Sequence, residues 1–115
     1  MHELAYVLKI TDLSLRVAEE KGLSSVKEIS VEVGAMTGAL DHYLKLYFKK
    51  ASKGTILEGA VLNITNVPVL AECECGNIYH PEKETGYTCP VCKSRKGRIT
   101  RGRDICVVSV SGVTG

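Results

Sequence analysis

The chain reads as an α+β fold, with two helices packed on a three-stranded sheet and a zinc-binding hairpin subdomain inserted late in the sequence. Three observations lead there. Apolar residues recur at helical spacing in two stretches and alternate in three others, and four of the five cysteines fall in two close pairs before the last alternating stretch.

From Leu4, the apolar positions Leu4, Val7, Leu8, Leu13, Val17 and Ala18 recur three and four apart among charged neighbours, which predicts an amphipathic helix stopped by Gly22. Next, Val26 to Val33 sets Ile29, Val31 and Val33 against Glu28, Ser30 and Glu32, the alternation of a half-buried strand. Gly34 to Gly38 is a turn. Asp41 is a natural N-cap for a second helix, which buries Leu44, Tyr47, Phe48 and Ala51 and ends near Gly54. Leu62 and Ile64 then alternate with Asn63 and Thr65. The last alternation, Asp104 to Ser111, puts Cys106, Val108 and Val110 on one face, where Cys106 is expected as a small buried hydrophobe. The cysteine segment is therefore an insertion of residues 70–103 in an α+β domain made of 1–69 plus 104–115.

With 115 residues, 44% of them hydrophobic and 24% charged, the chain is sized for one small domain that a metal staple would help to hold. No apolar run is long enough to cross a membrane, and Met1-His2-Glu3 leads directly into amphipathic sequence rather than a signal peptide, so a cytoplasmic protein with no membrane partner is expected. The net charge of +2 is local: six of the eleven residues from Lys93 to Arg103 are basic and none is acidic. That stretch reads either as a docking surface for an acidic partner or nucleic acid, or as a solvated hairpin. It carries no aromatic residue to stack on bases.

Cys73, Cys75, Cys89 and Cys92 have the arithmetic of a closed tetrahedral zinc site, two thiolates from each of two tight turns. Cys89-Pro90-Val91-Cys92 is a good zinc knuckle. Cys73 and Cys75 are one residue apart, so in extended chain both point to the same face, and Gly76 can take the positive φ that folds the chain back. A disulfide or free thiols are the alternatives, and His80 is the candidate substitute ligand. His80-Pro81-Glu82 followed by a cysteine pair imitates the deaminase pattern, but a deaminase keeps three protein ligands and a water, with its proline before the cysteine pair rather than inside it.

Met1-His2-Glu3 offers a second site. The α-amine of Met1, the amide and imidazole Nδ1 of His2, and the amide of Glu3 can chelate one ion through adjoining rings, a square-planar nitrogen set that suits Ni²⁺ or Cu²⁺. The first amides of a helix have no intrahelical acceptor, so a metal can take their place without breaking a hydrogen bond. Asp41 and His42 are possible auxiliary ligands.

Met1-His2-Glu3-Leu4, Val31-Glu32-Val33-Gly34 with Gly38, Gly54-Thr55, Glu58-Gly59-Ala60, Leu62-Asn63-Ile64 and the paired cysteines, in that order, resemble the HypA/HybF hydrogenase maturation nickel chaperones. The resemblance spans nearly the whole chain. It implies a metallochaperone that delivers Ni²⁺ to the large-subunit precursor of a [NiFe]-hydrogenase, in some organisms also to urease, together with a HypB-type GTPase. Carried over, His2 with the backbone nitrogens of Met1, His2 and Glu3 binds nickel in the 1–69 plus 104–115 domain, while Cys73, Cys75, Cys89 and Cys92 bind structural zinc. The family usually separates its first two cysteines by two residues, and this chain by one. The alternative is a zinc ribbon binding nucleic acid through 93–103, which leaves His2 and the α+β layer unexplained. No nucleophile paired with a base and no phosphate loop is present, so an enzyme is not expected.

Overall fold

Two three-stranded sheets organise the chain, described over residues 2–115 in a computed structural model. In order the elements are α1 (Glu3–Glu20), β1 (Leu23–Gly34), a 3-10 turn (Ala35–Thr37), α2 (Asp41–Ala51) and β2 (Val61–Val67). There follow β3 (Leu70–Glu72), β4 (Ile78–Tyr79), a second 3-10 turn (Lys83–Thr85), β5 (Arg98–Arg101) and β6 (Ile105–Thr114).

The first sheet has the order β2-β1-β6. β1 lies parallel to β2, with Ile29 opposite Leu62 and Val31 opposite Ile64, so α2 is the crossover that parallel neighbours require. On its other side β1 pairs antiparallel with β6. Both helices pack on one face of this sheet, around Val7, Ile10, Ile29, Leu44, Leu57 and Val110.

Helix α1 turns a different face inward from the one its leucines suggest. Glu3, Val7, Ile10, Thr11, Ser14 and Ala18 are buried, whereas Leu4 and Leu8 stay half exposed. Positions 3, 7, 10, 14 and 18 also recur at three and four, one step of about 100° from the leucine stripe. Thr11, Ser14 and Ala18 on that face are small and buried, so the face that packs inward is not the more apolar of the two stripes.

Strand β6 corrects a second expectation. Ser30 opposes Ser109 but Val31 opposes Val107, so one step along β1 spans two along β6. Such a bulge switches the inward face. Ile105 and Val110 are buried and Val107 packs against the core, while Cys106 and Val108 face solvent. Cys106 is thus not a core residue.

In α2, Leu44 and Phe48 are buried, with Tyr47 and Ala51 packed beside them as the periodicity indicates. Asp41 is the first helical residue rather than the N-cap. Leu40 is the extended N-cap, and the Asp41 carboxylate accepts from Asn66 Nδ2 at 3.0 Å.

The inserted segment folds as more than a hairpin. Its strand order is β4-β3-β5, with Ala71 opposite both Tyr79 and Ile99. The two sheets meet where three backbone segments cross: Gly34 N donates to Asp104 O at 3.0 Å and Met36 N to Gly102 O at 2.9 Å. A Cβ on Gly34 would overlap the Gly102 carbonyl, and one on Gly102, at φ +84°, would overlap the Pro68 carbonyl. Placing the second sheet beyond this crossing elongates the molecule to 55 × 27 × 16 Å with a radius of gyration of 17.4 Å. A compact globule of about 100 residues would have about 13 Å.

Candidate metal centre

Backbone turns bring the four thiols together. Cys73 N donates to Asn77 O and Gly76 N to Cys73 O, both at 2.9 Å, which closes the first cysteine turn around Gly76 at φ +90°. Cys89 N donates to Ser94 O and Lys93 N to Cys89 O, also at 2.9 Å, which closes the second. The ligand atoms of Cys73, Cys75, Cys89 and Cys92 all lie within 4.8 Å of one another. Cys73 Sγ is 3.2 Å from Cys92 Sγ, and Cys75 Sγ is 3.7 Å from Cys89 Sγ.

These dimensions fit zinc. Four sulfurs at about 2.3 Å from one ion stand about 3.8 Å apart in a regular tetrahedron. Cys73 and Cys89 are buried at the foot of the cluster, with Cys75 and Cys92 on its exposed side. All five cysteines are free thiols, so the disulfide alternative is not adopted.

The electrostatics favour a thiolate at Cys89. Burial pushes this thiol up, but the backbone N–H groups of Cys92 and Val91, the Asn77 amide and the Cys75 thiol outweigh it and lower it from 9.0 to about 6. Asn77 Nδ2 donates to Cys89 Sγ at 3.6 Å. Cys73 and Cys75 move the other way. Backbone N–H groups of Cys75 and Asn77 respectively draw each thiol down, but the neighbouring sulfurs and burial together leave both raised. A crowd of thiols that holds one charge and resists the next is stabilised by a bound cation, which offsets the repulsion among the thiolates. Tyr79, buried against Cys73 and Cys89, is raised by burial and then by those sulfurs.

His80 stands apart from this cluster, its Nδ1 donating to Val69 O at 2.7 Å, on the linker between the sheets. Its acceptor-only partner fixes the proton on Nδ1. Among the described residues the four cysteines are the one group of three or more His, Cys, Asp or Glu side chains close enough to hold an ion. His2 is exposed at the N-cap of α1, and Met1 lies outside the described residues. Glu3 is buried, its Oε2 accepting from Leu40 N at 3.2 Å. That bond ties the head of α1 to the head of α2, near Asp41 and His42, but His42 is exposed and Asp41 is engaged with Asn66. Sequence reasoning missed the Asn77 amide at the thiols and the Glu3–Leu40 tie. Asn77 carried a signal in its place directly after the Gly76 turn; the tie, between residues far apart in the chain, carried none.

An α+β layer joined to a small sheet with a closed four-thiol cluster of metal-site dimensions defines a small two-module protein with a structural metal site in its second module. The chain belongs to the HypA family. The model of that family, described as "Hydrogenase/urease nickel incorporation, metallochaperone, hypA", matches residues 1–112. The chain is 33% identical over 113 residues to the hydrogenase maturation factor HybF of Klebsiella pneumoniae, covering 97% of this chain and 99% of that one. It is 34% identical over 112 residues to the hydrogenase maturation factor HypA of Chlorobium phaeobacteroides, covering 96% and 98%. The fold matches the solution structure of the Ni metallochaperone HypA from Helicobacter pylori with a TM-score of 0.78, at 20% identity over the whole of both chains.

Proposed function

We propose that this chain is a nickel carrier for hydrogenase maturation rather than an enzyme. Ni²⁺, its cargo, binds at the N-terminus through the α-amine of Met1, the amide and imidazole of His2 and the amide of Glu3. The carrier works in the cytoplasm with a HypB-type GTPase and hands the ion to the large-subunit precursor of a [NiFe]-hydrogenase, with urease as a second client. Residues 1–69 plus 104–115 form the nickel-binding domain, and 70–103 the zinc-binding one.

The observation that carries this reading is the Met1-His2-Glu3 start in a chain of the HypA family. Glu3 supports a nitrogen-rich site. Its carboxylate is buried and accepts from Leu40 N, while its amide, as an early helical N–H, has no intrahelical acceptor. A chelate of amine, amides and imidazole selects Ni²⁺ or Cu²⁺ over the zinc that thiolates prefer. Cys73, Cys75, Cys89 and Cys92 would hold the zinc, which fastens the two cysteine turns together; with four protein ligands it leaves no position for substrate.

The test is a nickel titration of untagged, zinc-loaded protein, with the absorption of the Ni²⁺ complex recorded for wild type, His2→Ala and a variant carrying one residue before Met1. One Ni²⁺ with a square-planar spectrum, lost in both variants while zinc stays, is the expected result. Equal nickel binding in all three overturns it, and the basic 93–103 stretch would then be tested for salt-dependent nucleic-acid binding.

A further inference from the structure

Residues 42–57 contain four lysines, Lys45, Lys49, Lys50 and Lys53, and no acidic residue. Lys49 and Lys50 sit in the last turn of α2, where they suit the helix dipole. Lys53 follows just beyond the Ser52 C-cap, while Lys45 sits one turn in from Lys49 on the same side of the helix, where the two cations repel each other and the dipole gives Lys45 no such reason. Among the described residues none of the four is paired with a carboxylate, and the nearby Glu58 carboxylate accepts instead from Gly54 N at 3.2 Å.

Beside these cations the surface is concave. A cavity of about 330 Å³ lies between α2 and the start of β2, with Lys45, Phe48 and Leu62 in its lining. Another of about 530 Å³ lies beside Leu46, Lys50 and Lys53. Lys49 and Gly59 line both, so the two adjoin as one groove. Its apolar surface is accessible: Val61 is 54% exposed and Leu46 40%. β2 is an outer strand of its sheet, which leaves the groove open on that side.

We propose that this groove docks an acidic segment of a partner protein, its carboxylates pairing with Lys45, Lys49 and Lys53 and its apolar side chains entering the two cavities. Lys45 and Lys49, four apart on α2, are separated by about 6 Å along the helix, close to the spacing of alternate side chains in an extended segment, and Lys53 follows just past the helix end. A membrane surface calls for apolar groups that protrude rather than hollows. Single-stranded nucleic acid calls for an exposed aromatic platform, whereas Phe48, the aromatic residue of the groove, is buried. The surface requires neither metal, so it stands apart from the carrier reading.

The experiment titrates the ¹⁵N-labelled full chain with a synthetic peptide of about twelve residues alternating Glu and Leu, and with its Gln-for-Glu counterpart. Amide shifts confined to Lys45, Leu46, Lys49, Gly59 and Val61 are expected, with the Gln peptide binding at least about tenfold more weakly. The same loss is expected in Lys45→Glu/Lys49→Glu/Lys53→Glu, while Lys9→Glu/Lys27→Glu binds as wild type. The triple Lys→Gln variant serves if charge reversal unfolds the protein, as read by circular dichroism. Absent or equal binding of the two peptides, or shifts mapping elsewhere, overturns the proposal. So does tighter binding of phosphatidylserine vesicles or single-stranded DNA through these same lysines.

Discussion

The two sheets have three strands each but are not held together in the same way. The first has strands of 12, 7 and 10 residues and a helical layer, and it closes over an apolar core. The second has strands of 3, 2 and 4 residues and a core of Ala71, Cys73, Tyr79 and Cys89 with Ile99 against it. Half of that buried core is cysteine. Strands this short do not bury enough apolar surface to stand alone, so the thiol cluster replaces a hydrophobic core as the organising contact.

The sharpest way to break the contrast is to remove the metal. Stripping the zinc proposed for the four thiols with a mercurial reagent, or Cys89→Ser, is expected to unfold 70–103 while the layer stays folded, because a structural zinc contributes on the order of 10 kcal/mol in small finger domains. Hydrogen exchange reads this directly: amide protection should vanish in β3 to β5 and persist in β1. Protection lost equally in both sheets would mean that the two fold as one unit. The converse change is Ile29→Ala, which empties a fully buried site. It should cost about 2–5 kcal/mol, lowering the melting temperature of the layer with zinc content unchanged.

Gly34→Ala strikes the crossing between the modules. The overlap of its Cβ with the Gly102 backbone should cost about 1–3 kcal/mol and move amide resonances on both sides of the junction, not on one alone. Acid sharpens the account of the thiol site. Cys89 is lowered from 9.0 to about 6, so its thiolate supports the folded state fully above pH 9, and that support is lost as pH falls through about 6. Zinc content, followed with a colorimetric chelator, should fall as acid protonates the thiolates, with Asn77→Ala shifting the drop to higher pH and weakening zinc about tenfold. The smallest effect belongs to Arg101, whose exposed pair with Glu32 spans the two sheets at 3.5 Å. Arg101→Ala should change stability by less than about 1 kcal/mol, measured by denaturant melts.

Interactions local in the chain could be read from the residues alone. The cysteine pairs, the Gly76 turn, the alternation of Ile29, Val31 and Val33 and the spacing of Leu44 and Phe48 each need only a few neighbouring positions, because backbone geometry sets their periods. The α+β class follows from those periods. Tertiary structure decided what depends on a second segment. Which side of α1 is buried was settled by its packing on the sheet and α2, since two adjacent stripes share the helical period. Cys106 was turned outward by a bulge that exists only where β6 meets β1. The second sheet rests on pairings as short as Ala71 with Tyr79, too few residues to leave a pattern. The Glu3–Leu40 bond joins positions 37 apart in the chain. A local pattern cannot encode such contacts, because their energy appears only once the chain has folded back on itself.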